Sequence, residues 1–233
     1  MIIGILGGMG PEATADLFQK VIRHTAAAAD QDHLRIIIDN NPQIPDRTAA
    51  ILGTGISPRE EMIATARNLE QAGAGLIIIP CNTAHHWIQD VRDAVKITVI
   101  DMLHETACHI ATNHPSVRNI GLLASTGTIT AGLYQQRLKQ FNVDTLVPST
   151  TEQELVMKII YSVKSGHLDF KQDAIRVSST LIQRGAQLIV AGCTEIPLIL
   201  TSGDLPVPLV DPTSVLAQKA ILAAGGKLRP QQI

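Results

Sequence analysis

Gln71-Ala72-Gly73-Ala74-Gly75-Leu76-Ile77-Ile78-Ile79-Pro80-Cys81-Asn82-Thr83 and Gln183-Arg184-Gly185-Ala186-Gln187-Leu188-Ile189-Val190-Ala191-Gly192-Cys193-Thr194-Glu195 are one pattern written twice, 112 positions apart. In each, a Gly-Ala pair closes a helix, a run of apolar residues forms a strand, and a cysteine stands where the chain turns toward the next helix. A strand with no polar alternation is hidden on both faces, which is the condition of a parallel sheet covered by helices.

A second match lies nearby. Asn119-Ile120-Gly121-Leu122-Leu123-Ala124 resembles Ile2-Ile3-Gly4-Ile5-Leu6-Gly7, displaced by 117 positions. Two matches at nearly one offset argue for a duplicated domain. Around them strands and helices alternate. Ile2–Leu6 leads through Gly7-Gly8-Met9-Gly10 to Pro11, which opens a helix reaching about residue 29. Leu34–Asp39 is the next strand, and residues 40–55 are an irregular stretch long enough to be functional. Ser57-Pro58-Arg59-Glu60 reads as a capping box opening a helix that ends near Gly73. A helix through about Val95 follows Cys81, and then the strand Ile97–Ile100.

In the second half, Ser125-Thr126-Gly127-Thr128 opens a helix, a strand lies near Val143–Val147, and helices lie near Thr151–Lys164 and Asp169–Arg184. Another helix is expected beyond Cys193, and Asp211-Pro212 caps the last one after the strand Val207–Val210. The pattern gives an α/β fold with two similar parallel-sheet domains related by pseudo-twofold duplication. The expected domains are residues 1–100 plus 208–233 and residues 101–207, with the active site between them.

Composition narrows the function. The chain has 233 residues and a formal net charge of −2, so it carries no overall basic field for nucleic acid. Aromatic residues make up only 3%, so aliphatic side chains must fill the core. No apolar run approaches the roughly 18 residues of a membrane span, and the first residues lack the basic start of a signal peptide. Three cysteines without Cys-x-x-Cys spacing suit a reducing compartment, so a cytoplasmic location is expected.

Ligands of open α/β sheets bind beyond the carboxyl ends of the strands. Five stretches converge there: Gly8–Thr14, Asn40–Thr48, Cys81–Thr83, Ser125–Thr128 and Cys193–Glu195. Small hydroxyl and amide residues around free backbone N–H groups suit a carboxylate. A thiol at a helix N-terminus ionises more readily than the usual value near 8.5. Two thiols sharing one ligand lose their first proton easily and the second reluctantly, leaving one thiolate and one thiol. Such a pair can remove a proton from one face of a carbon and return one to the other, which inverts the carbon. Cys108 lies mid-helix and is assigned to the core.

Other chemistries compete. Gly8-Met9-Gly10-Pro11-Glu12-Ala13 fits a dinucleotide fingerprint, and Asp39 ends a strand as a ribose-binding acid would, so an NAD(P)-dependent dehydrogenase is an alternative. Against it, Pro11 removes an N–H that a pyrophosphate would use, and Asp39 lies 26 positions past Ala13 where about 20 is usual. Cys81 with His85, and His104 with Cys108, have the spacing of zinc-binding pairs, but the two pairs need not meet. No metal is assigned. A small-molecule binding module built of two lobes, or a related isomerase or decarboxylase, is a further alternative.

Gly7-Gly8-Met9-Gly10-Pro11-Glu12-Ala13-Thr14, Pro45-Asp46-Arg47-Thr48, Pro80-Cys81-Asn82-Thr83-Ala84-His85 and Gly192-Cys193-Thr194-Glu195 resemble the aspartate/glutamate racemase family, in its aspartate racemase branch. The resemblance spans nearly the whole chain. It implies two facing Rossmann-like domains, no cofactor, an acidic amino acid as substrate, two-base proton transfer by Cys81 and Cys193, and a homodimer. Carried over by position, Met9, Asn82, Thr83, Ser125, Thr126, Thr128 and Thr194 line the pocket and hold the α-carboxylate or amine. Arg47 grips a substrate carboxylate, and Lys164 meets the side-chain carboxylate. Read from its own place in the sequence, Glu195 either orients and tunes Cys193 or is a carboxylate at a helix start. The glutamate racemase branch has an Asp-Ser pair in the first loop and His after the second Cys-Thr, where this chain has Gly8-Met9 and Glu195.

Overall fold

The computed structural model describes residues 1–230, which form two compact units. One comprises Met1–Glu105 and the chain from Thr213 onward, and the other Thr106–Pro212. Among the described residues no helix is long and apolar enough to cross a membrane.

In the first unit the elements are β1 (Ile3–Gly7), α1 (Pro11–His24), β2 (Ile36–Asn40), α2 (Arg47–Ile51), α3 (Arg59–Gln71), β3 (Leu76–Ile78), α4 (Ile88–Ala94), β4 (Thr98–Val99) and the start of α5 (Met102–Asn113). All four strands are parallel, in the order β2-β1-β3-β4. The apolar runs behave as read: β1 and β3 are buried along their whole length, while the edge strand β2 exposes Ile38. Leu6, Met62, Leu69, Ile77, Ile79 and Val91 pack one face of the core. Each such side chain contributes about 1.5–3 kcal/mol by leaving water.

Three local expectations are corrected here. α1 stops at His24 rather than near residue 29, because a distant segment takes over its backbone groups. Ala26 N–H donates to Lys227 O (2.8 Å), and Arg229 N–H donates to His24 O (2.7 Å). The box expected at Ser57–Glu60 does not close: Pro58 is the cap residue, Ser57 Oγ accepts from Arg59 N–H, and Glu60 pairs with Arg59 instead. The stretch 40–55 is not wholly irregular, since Asp46 caps α2 by accepting from Ala49 N–H (2.7 Å).

The second unit contains the remainder of α5, β5 (Asn119–Leu122), α6 (Thr126–Thr130), α7 (Leu133–Lys139), β6 (Asp144–Leu146), α8 (Thr150–Lys164), α9 (Lys171–Gln183), β7 (Leu188–Val190) and β8 (Leu209–Val210). Its sheet is again fully parallel, ordered β6-β5-β7-β8, the same sequence of crossovers as in the first. Ser149 and Glu152 form a reciprocal capping box on α8.

The tail of the chain divides differently from the expectation. Strand 207–210 was assigned with residues 208–233 to the first domain, yet Leu209 and Val210 pair with Ile189 and Val190 of β7. Backbone pairing decides it, since Ile189 N–H and Ala191 N–H donate to Pro208 O and Val210 O. The helix that follows, α10 (Pro212–Ala223), belongs to the first unit from Thr213. There Lys20 Nζ donates to Thr213 Oγ1 (2.7 Å) and the N-terminal ammonium of Met1 donates to Ala224 O (2.7 Å).

Candidate active site

In each unit the chain leaves the first central strand toward one edge and returns on the other side of it. The loops after β1 and β3 therefore part at a switch point, and so do those after β5 and β7. Such points open a crevice at the carboxyl ends of the strands. Both cysteines of the repeated stretch follow the strand on the far side of that point, and both are buried.

The loop after β1 is held by glycine. Gly8 has φ +96°, and a Cβ there would lie 2.3 Å from the backbone of Asn41, so no larger residue fits. Gly8 N–H donates to Thr14 Oγ1 (2.9 Å), which uses an amide that a pyrophosphate would need, and Pro11 supplies none. A dinucleotide phosphate would therefore find neither of these two amides free in the loop.

Met9 is buried, and its carbonyl accepts from Arg47 Nη2 (3.2 Å). Arg47 Nη1 donates to Ile44 O (3.2 Å) and Pro45 O (3.0 Å). Arg47 is 8% exposed, and its buried Nε has no hydrogen-bond partner among the described residues. Asp46 is occupied in capping α2 and does not neutralise it. A buried cation whose partners among the described residues are neutral carbonyls favours an incoming anion.

Cys81 follows β3. Its carbonyl is 2.8 Å from His85 Nδ1, while His85 Nε2 accepts from Met102 N–H at the start of α5 (3.1 Å). A ring whose Nε2 accepts must carry its proton on Nδ1, so His85 is the neutral Nδ1–H tautomer. With both nitrogens used inside the fold, His85 does not join Cys81 as a metal pair. Among the described residues no group of three or more His, Cys, Asp or Glu is placed to hold a metal ion. Asn82 and Thr83 are buried on the same turn.

In the second unit the two loops abut at Gly192, where a Cβ would lie 3.0 Å from Ala124 Cβ and 2.6 Å from Leu122 Cδ1. Ser125 caps the short α6: its Oγ accepts from Thr128 N–H (3.3 Å) and lies 3.1 Å from Thr128 Oγ1. Thr126 turns toward α8. Its Oγ1 accepts from Gln153 Nε2 (3.2 Å), which also donates to Ala124 O (3.0 Å). A cavity of about 510 Å³ opens there, lined by Thr126, Pro148, Thr150, Gln153, Glu154 and Met157.

On the second cysteine turn, Cys193 Sγ donates to Glu195 Oε2 (2.9 Å), and Thr194 Oγ1 donates to the same oxygen (3.2 Å). All three residues are buried.

Neither cysteine begins an α-helix. Residues Thr83–Trp87 and Ile196–Leu198 form 3-10 turns, and the α-helix after Cys81 starts only at Ile88. The helix-terminus contribution expected for the thiols is thus replaced by local contacts. Lys164 is exposed as the last residue of α8, with Nζ 5.9 Å from the centre of the Tyr161 ring. It lies eleven residues beyond Gln153 on that helix, a rise of about 16 Å, so the second unit does not bring it beside Thr126. Two residues with clear positions here, His85 and Gln153, were not read as site residues from sequence. Spacing gave a hint only for His85, four positions after Cys81.

Residues 6–220 match the family model described as Asp/Glu/hydantoin racemase. The chain belongs to that racemase family. A broad specificity amino-acid racemase of Bacillus subtilis is 27% identical over 94% of this chain and 96% of its own. An aspartate racemase of Picrophilus torridus has a solved structure with TM-score 0.87 and 32% identity, covering 98% of this chain and 96% of that one. An aspartate racemase homologue from Pyrococcus horikoshii gives TM-score 0.76 at 28% identity, over 96% and 98%. Glutamate racemase from Francisella tularensis, at 20% identity and TM-score 0.67 over 95% and 80%, shares the fold. By family the protein is an amino-acid racemase, an isomerase of the aspartate racemase type.

Proposed function

We propose that the protein interconverts the L- and D-forms of an acidic amino acid, aspartate and by extension glutamate, without a cofactor, using Cys81 and Cys193 as the two bases. The observation that carries the reading is the recurrence of a buried cysteine at the same topological position in both sheets. The thiolate of one cysteine takes the proton from Cα, and the electron pair left there is delocalised into the α-carboxylate. The other cysteine gives its S–H proton to the opposite face, and the thiolate role passes to it. Atoms and charge balance with no other reactant.

Arg47 fits the substrate carboxylate because it is a buried cation without a carboxylate partner among the described residues. Asn82, Thr83, Ser125, Thr128 and Thr194 supply buried amide and hydroxyl groups for the α-carboxylate and amine, with Met9 and Thr126 at their margins. Such donors stabilise the charge that develops on the carboxylate oxygens. Lys164 is proposed for the side-chain carboxylate. The working form is proposed to be a cytoplasmic homodimer, as in the family resemblance.

Incubation with L-aspartate, and separately L-glutamate, in deuterium oxide without added cofactor tests the reading. Deuterium at Cα and accumulation of the D-enantiomer are expected. Absence of exchange with both acids ends it.

A further inference from the structure

The two cysteine turns are alike in fold and unlike in chemistry. Cys193 Sγ donates to Glu195 Oε2 at 2.9 Å, and Thr194 Oγ1 donates to the same oxygen. Glu195 is only 4% exposed, so neither partner is screened by much water. Around Cys81 it is the backbone that bonds: its N–H donates to Ile79 O (2.9 Å), and its carbonyl lies 2.8 Å from His85 Nδ1. At the position matching Glu195 stands Thr83.

A carboxylate beside a thiol stabilises the S–H form twice. It accepts the S–H hydrogen bond, and its charge repels the thiolate that loss of the proton would create. Thr194 Oγ1 adds a second donor that holds the carboxylate in place. We propose that Glu195 is a positioning residue that makes Cys193 the resting proton carrier, so that the free enzyme is poised to take a proton at Cys81 and deliver one from Cys193. This rests on the assignment of the two cysteines as the racemising bases.

The step has a consequence for turnover. After one inversion Cys81 carries the proton and Cys193 is a thiolate beside a carboxylate, the less favourable arrangement. The enzyme returns to rest by running the reverse reaction or by moving a proton from Cys81 to Cys193 through solvent. Enantiomers have equal free energy, so kcat/KM is the same in both directions. The asymmetry therefore shows as paired differences in kcat and KM, which shrink when Glu195 loses its charge.

The test follows iodoacetamide labelling of each cysteine separately by peptide mass spectrometry as a function of pH, a readout that needs no racemase activity. In the unmodified protein Cys81 is expected to be labelled before Cys193 near neutral pH; labelling of Cys193 first overturns the proposal. In Glu195→Gln the midpoint of the Cys193 labelling curve is expected to fall by about one pH unit or more while that of Cys81 stays in place. Glu195→Asp, which keeps the charge on a shorter arm, should fall less. An unmoved or raised Cys193 midpoint in Glu195→Gln, with Cys81 unchanged, rejects the role of Glu195. If Glu195→Gln does not fold, the labelling order in the unmodified protein decides. Exchange of substrate deuterium, measured in parallel, distinguishes failure of this inference from failure of the racemase reading.

Discussion

At the residue scale the proposed chemistry needs two different proton positions, and the environments of the two thiols differ accordingly. Cys81→Ala and Cys193→Ala each remove one base, so each should lower kcat/KM for racemisation by about 10²–10⁴, or roughly 3–5 kcal/mol of transition-state stabilisation. The measurement is polarimetric progress with each enantiomer as substrate; near-normal rates in either variant contradict the two-base assignment. The cysteines were legible because the repeat placed both at strand ends. The partners of their side chains were not. Glu195 was readable as support for Cys193 or as a simple acid at a helix start, and only the 2.9 Å contact to Cys193 separates the two. Arg47 shows the same limit. Its sequence neighbour Asp46 accepts from Ala49 N–H, and the guanidinium reaches Met9, 38 positions earlier, a contact that no local spacing marks.

At the scale of elements, the glycine loop after β1 packs directly against the backbone that follows β2. Gly8→Ala would place a methyl 2.3 Å from the Asn41 backbone and force an alanine to φ near +96°. Overpacking and backbone strain each cost about 1–3 kcal/mol, so a loss of roughly 2–5 kcal/mol is expected in urea denaturation. Gly10→Ala, where a Cβ meets nothing within 4 Å, should cost far less and serves as its control. Equal losses would mean that the loop shifts to make room. Strand positions were well predicted because continuous apolar runs bounded by glycine have few other solutions. Helix ends were predicted less well. α1 ends early because residues 227–229 bond to the backbone at 24–26, and the turns after both cysteines are 3-10 rather than α, neither of which local sequence encodes.

At the scale of the whole molecule, the duplication yields two sheets with the same strand order, but the chain does not divide into two consecutive pieces. β8 completes the second sheet and α10 then joins the first unit. The sequence suggested this return but put its start one strand too early, because a short strand carries no local mark of which ladder it extends. The division makes a strong prediction. Within α10, Leu216 and Ile221 are fully buried, each worth about 1.5–3 kcal/mol, and the N-terminus of Met1 is bonded to Ala224. Losing both side chains and that anchor removes a large share of the roughly 5–15 kcal/mol that stabilises a domain. A chain ending at Pro212 keeps every strand of the second sheet, so its β5 and β7 amides should stay protected from hydrogen exchange. Those of β1 and β3 should exchange orders of magnitude faster than in the full chain. Protection lost equally in both sheets would show that the two units unfold as one, and protection retained in both would show that α10 contributes little to the first.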